Sequence, residues 1–273
     1  MIKIITDIAE TLKQITTGEC SIALAGSRAY GGADDESDID IYMLVDDVKP
    51  HDEIVAIIKT IADEDSGVSV SASFDFAPYG GGIEFTYQGV PVEVTVKYYT
   101  MIKQRLDDCL EGRFEVIPQT WTSNGYYTYI SASEISFIEP VYDPTGFVAE
   151  CKDKLRVYPE KLRRSIISCF MERAYTWINN FHYESAIRRG DFMFTSACVL
   201  HTVQDLIQVI FAVNRVYFKG DKKLELAIKE LLYCPKEFSD NLLFLMQASE
   251  ATEHLQKQYE ILRDTVNELN GRC

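Results

Sequence analysis

Apolar positions recur along the chain with two different periods, and the pattern changes near residue 146. Residues 3–16 place Ile4, Ile5, Ile8, Leu12 and Ile15 on one helical stripe, and Gly18 supplies the stop. SIALA (21–25) reads as a short buried strand, and DIDIYMLV (38–45) as a second one with strict alternation. A helix over about 52–63 follows, with Ile54, Ile57, Ile58 and Ile61 inward. VSVSASFDF (68–76), IEFTY (83–87) and VPVEVTVKYY (90–99) read as strands, the last two joined by a tight hairpin at Gln88-Gly89. This half is expected to be α/β with a mixed sheet and flanking helices.

From about 146 the period is helical only. Pro159 suits the first turn of a long helix in which Leu162, Ile166, Phe170, Ala174, Trp177 and Ile178 form one stripe. Further helices are expected over about 191–217, from near Lys222, and over about 236–269, with Asp191 as a cap at the Arg189-Gly190-Asp191 junction. Four helices with short connections predict an antiparallel bundle. Residues 112–145, with WTSNGYY, Pro140 and DPTG, read as irregular connection plus a strand or two. The expected division is a catalytic-type domain at 1–145 and a helical domain at 146–273, with a substrate and nucleotide cleft between them.

Composition narrows the setting. With 273 residues, 47% of them hydrophobic, the chain can bury two modest cores. No uninterrupted run of about 18 apolar residues and no signal-peptide pattern are present, which predicts a soluble, cytoplasmic protein. The seven cysteines (20, 109, 151, 169, 198, 234, 273) lie far apart without a C-x-x-C, as suits reduced thiols. A formal net charge of -15 weighs against nucleic acid as a partner and favours a small neutral or cationic one.

Candidate chemistry sits in GSRAYGGADDESDIDIYM (26–43). Strand alternation puts Asp38 and Asp40 on one face, about 7 Å apart, with Ile39, Ile41, Met43 and Val45 on the other. Adjacent carboxylates repel and are tolerated where solvent or a cation compensates them; hard oxygen ligands in this arrangement suit Mg²⁺. A lone D-x-D is commonly no more than a solvated strand edge. Here Gly26-Ser27 ends an apolar strand, so its N–H groups and hydroxyl can face a phosphate, and Gly31 and Gly32 let the return loop pass close by. Glu93 lies in VPVEVTV between apolar neighbours. A two-residue turn at 88–89 sets it opposite Glu84, a like-charge pair that signals either a wrong register or a cation-binding face.

In order, spacing and apolar flanks, ALAGS, SDIDIYML and VEV resemble the nucleotidyltransferase superfamily of polymerase beta type over roughly residues 20–97. The helical half, with AIRRGDFMFTSACVLHTVQDLIQ and AVNRVYFKGDKK, resembles more loosely the antibiotic nucleotidyltransferases, which act on aminoglycosides or lincosamides. The resemblance implies transfer of a nucleoside monophosphate, AMP above all, from a nucleoside triphosphate to an acceptor hydroxyl with release of pyrophosphate. It implies two Mg²⁺ ions held by Asp38, Asp40 and Glu93, with Glu93 as metal ligand or base, and phosphates at Gly26, Ser27, Arg28 and Ser37. Arg28 has a second reading, a salt bridge to the Asp34-Asp35-Glu36 run.

Cations for the triphosphate are expected from the helical half, where RVYFKGDKK carries Arg215, Lys219, Lys222 and Lys223; solvated helix ends carry such lysines equally well. His182 and His201 lack a partner histidine at metal spacing, and Trp121 and Trp177 read mainly as packing. Two other functions stand beside the first: modification of a protein or a transfer RNA end, as in toxin–antitoxin modules, and a catalytically inactive nucleotide sensor.

Overall fold

The computed structural model describes residues 2–29, 31, 34, 37–119 and 122–272. Gly32, Asp35, Glu36, Trp121 and Cys273, all considered above, lie outside the described residues. The chain divides into two compact units, Met1–Cys109 with Phe114–Trp121 and Gly125–Val157, and Leu110–Arg113 with Thr122–Asn124 and Tyr158–Cys273. The first unit thus runs past residue 145, because the helix that follows packs on its neighbour within that unit.

The elements of the first unit are α1 (Ile2–Leu12), β1 (Cys20–Leu24), α2 (Gly26–Ala29), β2 (Ile39–Val45), α3 (His51–Ile58), β3 (Ser69–Val70), β4 (Gly81–Tyr87), β5 (Val90–Tyr98), α4 (Tyr99–Leu110), β6 (Val116–Ile117), β7 (Tyr126–Tyr127), α5 (Ile130–Phe137), β8 (Glu139–Tyr142) and α6 (Phe147–Leu155). Six strands form one mixed sheet in the order β3-β4-β5-β2-β1-β8. Among the described residues of this sheet, β2 and β5 run parallel and the other pairs are antiparallel. The mixed α/β class expected from the alternating first half is the one observed.

The alternation in β2 decides which face is buried. Ile39, Ile41, Met43 and Val45 point to one side, joined by Val92, Val94 and Val96 of β5 and Ile83 and Phe85 of β4. Ile8 and Leu12 of α1, Ile15 beyond it, and Ile54 and Ile58 of α3 close over that face and are fully buried. Each such side chain contributes about 1.5–3 kcal/mol on burial. One face of the sheet is therefore a dry core; the opposite face is polar at Asp40, Glu84 and Glu93 and covered farther along β2, where Leu44 is fully buried.

Several boundaries differ from the pattern-based expectation. Residues 68–76 are strand only at Ser69–Val70. Ser71 turns its hydroxyl to accept the N–H of Gly82 at 2.8 Å, and Phe74 folds inward against Gly81, so the backbone leaves the ladder. The Gln88-Gly89 hairpin forms as expected, both residues having positive φ (52° and 77°), as a type I′ turn demands. The Asp63 carboxylate accepts both turn N–H groups, at 2.9 and 2.8 Å.

The second unit is helical: α7 (Glu160–Ile178), α8 (Phe181–Arg189), α9 (Phe192–Val213), α10 (Leu224–Lys229), α11 (Lys236–Asp240), α12 (Leu242–Leu245) and α13 (Thr252–Asn270). Asp191 caps α9 by accepting the N–H of Phe194 at 3.3 Å. That helix is long and apolar enough to cross a membrane by length and composition alone, but 67% of its apolar window is buried in the protein, the behaviour of a core helix. It stops before 217 because Arg215 adopts φ 55° and Asn214 turns its side chain to the backbone of Tyr233. The helix expected over 236–269 is three helices. Buried Gln258 of α13 donates to the carbonyls of Phe244, Leu245 and Gln247 at 2.9–3.1 Å, which satisfies the exposed end of α12 and makes the break tolerable.

Candidate active site

The polar face of the first unit carries a row of acids. Parallel pairing of β2 with β5 sets Asp40 beside Glu93, and the β4–β5 hairpin sets Glu93 beside Glu84, whose neighbour on β3 is Ser69. The like-charge register opposite Glu93 is therefore real. Asp38 stands one residue ahead of β2 on the same parity as Asp40.

Asp38, Asp40 and Glu93 each present a carboxylate oxygen such that all three lie within 4.8 Å of one another. Asp38 and Asp40 are half-buried and Glu93 is exposed. Three anionic oxygens this close repel unless a cation compensates them, and an all-oxygen donor set is the chemistry of Mg²⁺, Mn²⁺ or Ca²⁺ rather than of zinc. Glu84 is exposed at the end of the row. An open cavity of about 320 Å³ borders it, lined by Asp38, Ser69, Glu84, Thr86 and Glu93 among others. A larger one of about 690 Å³ lies within the Ser71–Gly80 loop, includes Phe76, which is 93% exposed, and touches none of these acids.

Gly26 is fitted to this centre. Its φ is +58°, and a Cβ built there would stand 1.6 Å from Oδ2 and 2.4 Å from Cγ of Asp40. The turn after β1 thus passes so close to the Asp40 carboxylate that no side chain fits between them. The N–H of Ala25 donates to the Asp40 carbonyl at 2.8 Å and fixes that approach. Ser27 follows in α2, half-buried.

Two other expected phosphate ligands are engaged within the chain. The Ser37 hydroxyl accepts the N–H of Asp34 at 2.9 Å and donates to its carboxylate at 2.8 Å. Arg28 donates from Nε to the Asp38 carbonyl at 2.7 Å and from Nη2 to the Ser37 carbonyl. Lys219, Lys222 and Lys223 are exposed residues of the helical unit, and Lys223 adopts φ 56° ahead of α10.

A feature that pattern reading missed adjoins the row. Lys97 follows Glu93 and Thr95 on the polar face of β5, yet it is only 1% exposed. Its ammonium pairs with Glu134 of α5 and sits 4.6 Å above the ring of Tyr42, whose hydroxyl donates to the other Glu134 oxygen at 2.8 Å. Burial, reinforced by the Glu134 carboxylate, holds the Tyr42 phenol well above its ordinary range. The signal was present: Lys97 has the parity of Glu93, but only α5, contributed from forty residues downstream, makes that position interior.

A family described as a domain of unknown function (DUF4037) matches residues 138–224, a segment that excludes the three clustered acids. No curated protein matches the chain. Among solved structures, the chain is similar to a nucleotidyltransferase-like protein from Exiguobacterium sibiricum at 11% identity and a TM-score of 0.49, over 98% of this chain and 75% of that one. At that level of likeness, the chemistry has to be read from this chain's own residues.

Proposed function

We propose that the protein is a Mg²⁺-dependent nucleotidyltransferase that moves a nucleoside monophosphate, AMP by preference, from a nucleoside triphosphate to a hydroxyl of a small neutral or cationic acceptor of antibiotic-like size. The observation that carries this reading is the convergence of Asp38, Asp40 and Glu93 beside a glycine turn with no room for a Cβ. Bound at these carboxylates, Mg²⁺ supplies neutralisation of phosphate charge and, as a pair of ions, a clamp for in-line displacement.

The chain's own residues have separable tasks. Asp38 and Asp40 would hold the cation, one from the approach to β2 and one from within it. Glu93, the exposed member, either completes the ligand set or accepts the proton of the acceptor hydroxyl. The backbone at Gly26 and the hydroxyl of Ser27 stand on the β1 side of Asp40, where phosphate oxygens are met by N–H groups. The β4 side of the row, with Glu84, Ser69 and the cavity of about 320 Å³, is left for the acceptor. A field of net charge -15 and a face of four acids favour neutral or cationic acceptors over polyanions.

The test is transfer of labelled nucleotide from each of four triphosphates, with Mg²⁺, onto antibiotic, metabolite, protein and transfer RNA pools. Label should move to a small-molecule pool, and Asp40→Asn should abolish it. Label in transfer RNA or protein would replace the acceptor class. Wild-type-like transfer by both Asp38→Asn and Asp40→Asn would remove the site.

A further inference from the structure

Arg28 stands beside the glycine turn, where a cation invites assignment to substrate phosphate, but its bonds run the other way. Nε donates to the carbonyl of Asp38 at 2.7 Å, and the neighbouring Nη2 donates to the carbonyl of Ser37. Those two nitrogens form one edge of the planar guanidinium, which delivers two parallel N–H groups to two successive carbonyls. The side chain is half-buried against the segment it grips.

Asp38 needs such a grip. Asp40 lies within the ladder, paired with Glu93, and its carbonyl is also held by the Ala25 N–H. The ladder pairs of β2 begin at Ile39 with β5 and at Ile41 with β1, so Asp38 precedes both. Its backbone is tied instead to α2 through Arg28, and the Ser37 hydroxyl beside it donates to Asp34.

We propose that Arg28 is a positioning residue of the metal centre: its guanidinium edge fixes the Ser37–Asp38 peptide so that the Asp38 carboxylate faces those of Asp40 and Glu93. This rests on the metal-site reading above. A phosphate role for the same edge would require breaking both carbonyl bonds. Lysine keeps the charge but not the paired parallel donors, so charge and geometry are separable by substitution.

The experiment is Mn²⁺ titration followed by electron paramagnetic resonance on the full chain without nucleotide, for wild type, Arg28→Lys, Arg28→Gln and Arg28→Ala, each checked for a cooperative melt. Loss of an outer-shell support typically costs about 10- to 100-fold in metal affinity. Mn²⁺ dissociation constants should rise by about that much in Arg28→Lys as well as in the neutral variants. Turnover at saturating triphosphate and wild-type metal concentration should fall, recovering as metal is raised, with the triphosphate KM little changed. If Arg28→Lys binds Mn²⁺ like wild type and only the triphosphate KM rises, Arg28 is a phosphate ligand and the proposal is overturned while the metal site stands. If wild type binds no Mn²⁺, the metal-site reading and this proposal fall together. Should Arg28→Ala not fold, the lysine and glutamine variants carry the comparison.

Discussion

Gly26→Ala isolates the contact on which the site depends. The substitution adds one methyl group, and the structure gives its surroundings: Oδ2 of Asp40 at 1.6 Å, Cγ at 2.4 Å and Cβ at 2.8 Å, where ordinary contact begins at 3.4 Å. The carboxylate must therefore withdraw by roughly 1.8 Å, or the turn must shift by a similar amount, whereas a Mg²⁺–oxygen bond of about 2.0–2.1 Å tolerates only about 0.2 Å. The backbone contributes separately, because φ is +58° at this glycine and an alanine held there costs about 1–2 kcal/mol. Gly146→Ala is the control, since Gly146 has φ +72° with nothing within 4 Å of its added Cβ.

Both variants should lose the backbone contribution, a few degrees in melting temperature for a chain of this size. Gly26→Ala alone should lose at least about tenfold in Mn²⁺ affinity, and about 100-fold or more in transfer, the scale of an ångström-sized misplacement of a reacting group. The assays are thermal melts of both variants, Mn²⁺ titration and release of pyrophosphate. Equal Mn²⁺ affinity in Gly26→Ala and wild type would refute the reasoning, because Asp40 would then not stand where the turn excludes a side chain.

Asp38→Asn and Asp40→Asn should each raise the metal-free melting temperature by about 1–3 °C, since each relieves repulsion among three acids; a fall measured by calorimetry in chelator would show that the carboxylates are held by other bonds. Asp205 is 1% exposed in α9, where burial raises its carboxyl to about 7 against the pull of Arg173 at 3.1 Å. Its folded value lies above its unfolded one, so its contribution is fully present below about pH 4 and is lost as pH rises to about 7. Asp205→Asn should accordingly gain stability over wild type by up to a few kcal/mol at pH 8 relative to pH 4, read from denaturant midpoints; a pH-independent difference would place the carboxyl in a solvated setting. The double variant Lys222→Ala, Lys223→Ala should weaken triphosphate affinity by about tenfold in calorimetry; unchanged affinity would assign both lysines to a solvated helix end. The KM for a cationic acceptor should climb between low and high salt while that of a neutral one stays level, the screening length being about 10 Å at 0.1 M.

Local pattern was enough wherever one physical rule acts over a few residues. Strict alternation in DIDIYMLV fixed which side of β2 is dry, and a two-residue turn at Gln88-Gly89 fixed the pairing of Glu84 with Glu93, because side-chain parity and hairpin register are short-range geometry. Those rules grouped Asp38 with Asp40 and Glu84 with Glu93; that the two groups and Gly26 belong to one site was implied by the family resemblance and not by local pattern. Pattern failed where a distant contact overrides local preference: Ser71 and Phe74 ended a strand that still looks alternating, and Gln258 made a helix break affordable in 236–269.

Tertiary structure alone decided the rest. Asp40 and Glu93 become neighbours only through a parallel pairing between strands some fifty residues apart, which no local signal encodes. Arg28 has the composition of a phosphate ligand and the bonds of a brace, because the carbonyls of Ser37 and Asp38 lie within reach of its guanidinium. Lys97 reads as one more solvated strand residue until α5 brings Glu134 over it. In each case the sequence determined what a side chain can do chemically, and long-range packing determined which of those capacities is spent on a neighbour and which is left facing solvent.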